Sequence, residues 1–440
     1  MWEFLVKMID KFCNFLTARI PEENKKIQFC VNMCAGIVVL LLMHAAASTK
    51  WAEGVLNNAF DEFIQKDAQK AAAEEKIANT GDIFLVDLDH IKPEKTGEEI
   101  SYISPRDTIA QIIEMATHGK AKIIVLDILL EKKDKKDEVI QKVLEAFPTD
   151  RNFQTKIIFA QRVGVVGKDR TLKKNLFDPL IDKNPNFYRA IPTLYVTKKD
   201  RVIRYWKAYD RYGKEEVIWS IPVLGVILNK GRMADLKEYE KQLVQKGSSI
   251  DNFVVDLDKS KTFVVPAGNK DLYRQRIRFF LIPKDCIDVP HAGNLTLPTM
   301  DSLNHRRFEN KIVLIGSSDP EKGDIHPTPV GDMPGMYIQG NAIHIILQGL
   351  QPAPAPWWIA IVLDIVVIIA VPYCFLYLKS WLAKLICTVV LTTALALVSY
   401  YILFRFLGMF FSFAFGTAAM GYFDTFSGIR ETILKMKEKN

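Results

Sequence analysis

Cysteine is nearly absent from the middle of this 440-residue chain. Of its six cysteines, Cys13, Cys30, Cys34, Cys374 and Cys387 lie in or beside apolar segments, and only Cys286 falls between residues 50 and 356. One cysteine cannot close an internal disulfide, so an apolar core has to hold this region together, and the pattern says nothing of redox compartment. The chain also lacks GxxxxGK[ST], HExxH and GxSxG stretches, which removes the commonest signals of phosphate-loop, zinc-protease and serine-hydrolase chemistry. Asp319, Asp324 and His326 fit no metal-ligand template, and His326 before Pro327 reads as a loop anchor. The expectation is a non-enzyme with no catalytic residue, no metal and no cofactor.

A concentrated basic face is missing too. The formal charge is +7, but it divides into +1 over residues 1–49, +3 over residues 357–440 and +3 across the three hundred residues between. That spread excludes the electrostatic footprint of a nucleic-acid binder. What the chain does have is segregated hydrophobicity: mean hydropathy is +0.05 although 25% of residues are charged. The long apolar runs gather in residues 27–48 and in the last 85 or so positions.

Four of these runs have the length of about 20 residues that a bilayer-spanning helix needs, at 27–49, 357–377, 382–404 and 407–426. A cleaved signal peptide is the rival for the first, because Ala45-Ala46-Ala47 resembles a cleavage site, but the 26 residues ahead of it are long for a leader. Lysine and arginine set the sides. They cluster before the first run, at Lys379 and Lys384, and in the tail 427–440, whereas the turn between the last two runs has Arg405 alone. Both termini are therefore expected in the cytoplasm and residues 50–356 outside it. Residues 1–26 carry an amphipathic stripe of Leu5, Met8, Ile9, Phe12, Leu16 and Ile20, suited to lying at a membrane surface or docking a partner. Asp364 falls within the second run, and His44 and Arg405 are its candidate polar partners, either as a helix-packing clamp or as a proton path.

The outer region alternates helical and strand patterns. Ile83 to Val86 and Lys122 to Leu126 are short continuous apolar runs suited to strands covered on both faces, and Ser104-Pro105-Arg106-Asp107 opens a helix between them that Gly119 closes. Lys156 to Ala160, Ile277 to Ile282 and Lys311 to Ile315 supply further strands. Glu216 to Leu228 reads as an apolar helix, Arg232 to Gln245 as an amphipathic one and Met336 to Leu350 as the last helix. The expected fold is a layered α/β domain with a mostly parallel sheet, joined by the stiff Pro352, Pro354 and Pro356 link to the membrane runs.

Ligands of open parallel sheets bind beyond the carboxyl ends of the strands. Asp87 and Asp89 fall at one such end, Asp127 at a second, and Ser317 and Ser318 at a third. Arg106 starts the intervening helix, and Asp324 and His326 follow the third end. These eight are the candidate ligand-binding residues; each could equally cap a helix or bond a loop amide.

Taken in order, Lys311-Ile-Val-Leu-Ile-Gly316, Gly323-Asp-Ile-His-Pro-Thr-Pro329 and Met333-Pro-Gly-Met-Tyr-Ile-Gln-Gly-Asn-Ala342 resemble the C-terminal signature of CHASE2 sensor domains. Asp87 to Asp89, Ser104-Pro105-Arg106, Asp127 and Ser220 to Leu228 resemble the rest. The resemblance implies an extracytoplasmic sensor domain on a bacterial inner membrane, with one membrane helix before it and three after. Members of that family usually continue into a cytoplasmic output module, whereas this sequence ends 14 residues past Phe426. The expectation is a sensor or regulatory subunit that works through an output protein in trans. The alternative is a structural subunit anchoring an envelope complex, and a homo-oligomer is left open in either case.

Overall fold

The computed structural model describes most of residues 61–69, 82–88, 105–246 and 308–349, the strand backbones between 253 and 288, and scattered positions from 353 to 410. The chain divides into two compact units, residues 61–351 and residues 1–60 with 352–440.

The first unit is built on six parallel strands. In chain order its elements begin with β1 (Ile83–Asp87), α1 (Arg106–His118), β2 (Ile123–Leu126), α2 (Asp137–Ala146) and β3 (Lys156–Ala160). The hairpin β4 (Val163–Val166) and β5 (Asp169–Leu172) follows, then α3 (Asp178–Lys183) and β6 (Phe187–Ala190). Next come β7 (Leu194–Val196), β8 (Ile203–Lys207), β9 (Tyr209–Tyr212), β10 (Glu216–Trp219), α4 (Ile221–Asn229) and α5 (Met233–Lys246). The unit closes with β11 (Phe253–Asp258), β12 (Lys261–Val265), β13 (Arg274–Arg276), β14 (Cys286–Asp288), β15 (Ile312–Gly316), β16 (Ile325–Thr328), β17 (Gly331–Pro334) and α6 (Gly335–Gln348). The main sheet runs β14-β1-β15-β2-β3-β6 with every pairing parallel. The mostly parallel α/β architecture expected from the apolar runs is therefore what forms.

Every residue of β1, β2 and β15 is buried, which explains why these strands read as continuous apolar runs and not as alternation: helices cover both faces. Phe84, Val86, Ile124, Leu126, Val313 and Ile315 pack into one core with α1 and α2. The alternate residues face α4 and α6. A Cβ on Gly225 would lie 3.9 Å from Ile158, and one on Gly340 would lie 3.4 Å from Leu85 and 3.9 Å from Leu314, so both helices approach this face closely. The side-chain period of two thus assigns Leu85, Asp87, Val125, Asp127, Leu314 and Gly316 to the α4–α6 layer.

Two expectations are corrected. Glu216 to Leu228 is not one helix: Glu216–Trp219 pairs antiparallel with Tyr209–Tyr212, and the helix starts only at Ile221, where Pro222 supplies a preset helical φ and lacks the N–H that a strand would need. The helix at 105–118 begins at Arg106 with Pro105 at its cap, one residue later than the Ser-Pro pattern implies. The helices at Arg232 to Gln245 and Met336 to Leu350 form within a residue or two of their expected bounds, the latter ended by Gly349 at φ 65°.

Residues 61–69 are helical at their described positions, and Ile64 and Ala68 are buried against the α/β unit. Asp61 binds Arg204 of β8 through Nε at 2.8 Å and NH2 at 2.7 Å, and Gln65 Nε2 donates to the Pro329 carbonyl at 2.6 Å. Arg204 is also held by Asp200 at 2.7 Å. Burial of this guanidinium works against its charge, but the two carboxylates outweigh that and raise its pKa.

In the second unit Ala353–Pro354 and Met409–Phe410 form a short parallel pair. Met409 and Phe410, expected near the start of the fourth apolar run, have extended backbone. Leu382, Ile386, Val389 and Val390 fall on one helical stripe and are all exposed. Among the described residues no helix is long and apolar enough to cross a membrane. Apart from such scattered positions, the runs 27–49, 357–377, 382–404 and 407–426, the stripe in residues 1–26 and the strand at Ile277 to Ile282 lie outside the described residues, as do Asp89, Asp319, His44, Asp364 and Arg405.

Candidate functional site

Three strand ends meet because β15, the last strand of the sheet in sequence, inserts between β1 and β2. Asp87 ends β1, Gly316 ends β15, and Asp127 follows β2 directly. The Leu88 N–H donates to the Gly316 carbonyl and the Asp127 N–H to the Ile315 carbonyl, each at 2.9 Å. The carboxyl rim predicted from sequence is therefore one continuous surface.

Asp87 is 1% exposed, and a carboxylate so buried needs donors. Its Oδ1 accepts the Ser318 N–H at 2.9 Å and its Oδ2 accepts the Tyr337 hydroxyl at 2.9 Å. One side chain thus ties β1 to the segment after β15 and to the first turn of α6. The same turn lies hard against the strand, since a Cβ on Gly316 would fall 2.7 Å from the Met336 Cβ. Only glycine permits that approach.

Asp127, on the α4–α6 face at the end of β2, is half-buried. Burial pushes its carboxyl up to about 7, and the negative charge of Asp324 adds to the shift. Asp324 directly precedes β16 of the β16–β17 hairpin. Its carbonyl accepts the Gly335 N–H at 2.8 Å, and its carboxylate occupies the space a Gly335 side chain would take, with Oδ1 2.7 Å from an ideal Cβ position. The N-terminal end of α6, where helix dipoles favour negative charge, holds that carboxylate in place. His326 Nε2 lies 3.1 Å from Asp324 Oδ1, and both side chains remain partly exposed, at 29% and 50%.

The fold brings together Asp87, Asp127, Ser317, Ser318, Asp324 and His326 at one rim. Arg106 is not among them. Its Nε donates to Asp137 at 2.9 Å and its NH2 to the Lys132 carbonyl at 2.8 Å, so the 2% exposed guanidinium is bound within the α1–α2 layer on the opposite face. The local reason for a cation at that helix start is the Asp137 carboxylate, which the sequence shows only as another surface-type charge.

Tyr337 and Gln339 were missed by sequence reasoning. A signal was present: the apolar run Met336 to Leu350 is broken by Gln339, Asn341 and His344, and all three prove buried, at 1%, 7% and 6%. Polar groups inside a helix covered all round call for a partner or a task. Among the described residues no three His, Cys, Asp or Glu side chains converge as a metal ion requires.

No curated protein and no solved structure matches the chain. The family model of the CHASE2 domain matches residues 35–374, which takes in the whole α/β unit and its rim. CHASE2 domains are extracytoplasmic sensor domains of membrane proteins, and this chain belongs to the CHASE2 domain family.

Proposed function

We propose that the chain is a membrane-anchored sensor or regulatory subunit. Its α/β unit lies outside the cytoplasm, takes a ligand at the Asp127–Asp324 rim and acts through a separate membrane or cytoplasmic protein. The observation that carries this reading is the double engagement of one hairpin. Just before its first strand, Asp324 acts on Asp127 through its charge; at its turn, the Pro329 carbonyl accepts a bond from Gln65 in the helical segment 61–69. That segment leads back to the first apolar run. A ligand that moves Asp324 has a short covalent and hydrogen-bonded route to the segment 61–69, without needing a longer network. Membrane anchoring is supported by the four apolar runs and by the exposed stripe of Leu382, Ile386, Val389 and Val390, which suits lipid contact.

The test is a gentle pull-down of the full chain from membranes with identification of bound proteins, repeated for Asp324→Asn and Gln65→Leu. A sensor keeps its partner in both variants but loses the partner's regulated response. An unchanged response in both would overturn the sensor reading in favour of a purely structural anchor.

A further inference from the structure

Among the described residues, Gln339 of α6 is the buried side chain with two unpartnered polar atoms; Gln161 and Ser220, at the ends of neighbouring strands, each leave one. Gln339 is 1% exposed, and neither its amide nitrogen nor its amide oxygen has a hydrogen-bond partner. A buried primary amide in that state carries the full cost of desolvation, so its persistence calls for an explanation.

The phase of α6 says where the amide points. Met336 and Gly340 face the sheet, at Gly316 and at Leu85 with Leu314. Tyr337, about 100° further round the helix, reaches Asp87 on β1. Gln339, about 60° round the other way, then faces β2 and α4. It stands one turn below Gly335 on the same flank, and helical side chains lean back toward the N-terminus. The place it leans toward is where the Asp324 carboxylate occupies the space beside Gly335. Asp127, at the end of β2 on that face, is within electrostatic reach of Asp324. Two carboxylates and an unpartnered amide therefore converge from three elements. The one charge that bears on Asp127 among the described residues is the like charge of Asp324.

We infer that this flank of the rim takes a small primary amine with an oxygen close to its nitrogen, of the amino-acid or amino-alcohol type. The deduction rests on the sensor reading given above and names the ligand class of its site. The ammonium supplies donors to Asp127 and Asp324 and neutralises a pair that no described lysine or arginine serves. The neighbouring ligand oxygen accepts from the Gln339 nitrogen, and the remaining ammonium proton reaches the Gln339 oxygen. A metal ion would use the oxygens and leave the amide nitrogen orphaned. An anion would meet two carboxylates. Because Gln339 is closed over, binding requires the β16–β17 hairpin to lift, and Asp324, half exposed, is the entry side. Ligand capture and hairpin movement are then the same event.

The experiment uses the full chain in lipid nanodiscs and follows calorimetric binding and thermal unfolding with L-alanine and ethanolamine. L-lactate serves as the control without an ammonium, methylammonium as the control without an acceptor, and calcium chloride as the metal control. Either of the first two probes should bind and raise the unfolding temperature, with L-lactate inert and methylammonium at least tenfold weaker. Asp127→Asn and the near-isosteric Gln339→Met should each weaken binding at least tenfold. Gln339→Met should also unfold at a higher temperature than the parent without ligand, which shows that the variant folds. Binding of L-alanine or ethanolamine that Gln339→Met leaves unchanged would overturn the inference. So would protection by calcium or L-lactate alone; if that protection is lost in Asp127→Asn, the rim stands as the sensor's site with another ligand class. No protection by any of the five compounds overturns the amine as well, and the partner response of Asp324→Asn then decides the sensor reading separately.

Discussion

The Tyr337 hydroxyl donates to Asp87 Oδ2 at 2.9 Å across 250 residues of sequence, fastening the last helix of the α/β unit to its first strand. Tyr337→Phe keeps the ring packing and removes one donor from a carboxylate that is 1% exposed. The expected cost is on the order of 1–3 kcal/mol, because a buried charge loses a partner that solvent cannot replace. Denaturant titration of the detergent-solubilised chain measures it, and a change within experimental error would show that Asp87 is satisfied without the tyrosine hydroxyl.

Gly335→Ala tests the placement of Asp324. The new Cβ would sit 2.7 Å from Oδ1, closer than real Cβ contacts come, and the displaced atoms belong to a carboxylate already anchored by His326 and by its own backbone bond to residue 335. The hairpin has to shift. A destabilisation on the order of 1–3 kcal/mol is expected, together with faster proteolysis at residues 324–334. An equal cleavage rate in parent and variant would mean that Asp324 swings away freely.

The Arg106 guanidinium is buried and its partner Asp137 is half-buried, so a single change should cost more than a double one. Arg106→Met takes the donor from Asp137 Oδ1 and from the Lys132 carbonyl, while Asp137 Oδ2 keeps the Asp134 N–H, and a loss on the order of 1–3 kcal/mol is expected. Arg106→Met with Asp137→Leu should recover part of it. Partner response should survive in the double variant if Arg106 is structural; its selective loss in a folded protein would return Arg106 to the ligand site.

How much of this was legible in advance follows from what each feature depends on. β1, β2, β3 and β15 show in sequence because burial on both faces demands continuous apolar runs, and that demand is local. The strand ends, and hence Asp87, Asp127, Ser317 and Ser318, came with them. β6 did not, since Phe187-Tyr-Arg-Ala190 is an edge strand with two half-buried positions and no continuous run. Arg106 was misplaced because strand order and the layer of each helix are long-range properties. A charge at a helix start near the rim looks the same in sequence whether it faces the cleft or a carboxylate 31 residues on. Tyr337 and Gln339 needed the phase of α6 relative to Gly316, which only packing fixes.

Asp127 makes the pH dependence of the α/β unit distinctive. Its carboxyl is pushed up to about 7, whereas in the unfolded chain it should titrate near the ordinary value of about 4. The folded form therefore holds this proton more tightly. Between about pH 4 and 7 the native state binds more protons than the unfolded one, so this group's contribution to stability falls as pH rises through that window. The contribution is fully present below the unfolded pKa and lost above the folded one. Its size is on the order of 2 kcal/mol once partial solvent access is allowed for. Other carboxylates, such as Asp107 with Lys136 and Glu131 with Arg162, are shifted downward and pull the opposite way at lower pH. The difference between parent and Asp127→Asn isolates the effect: the variant should match the parent near pH 4.5 and exceed it in stability at pH 8. Parallel stability curves from pH 4.5 to 8 would show that the Asp127 carboxylate is solvated and that the rim opens to water in the resting state.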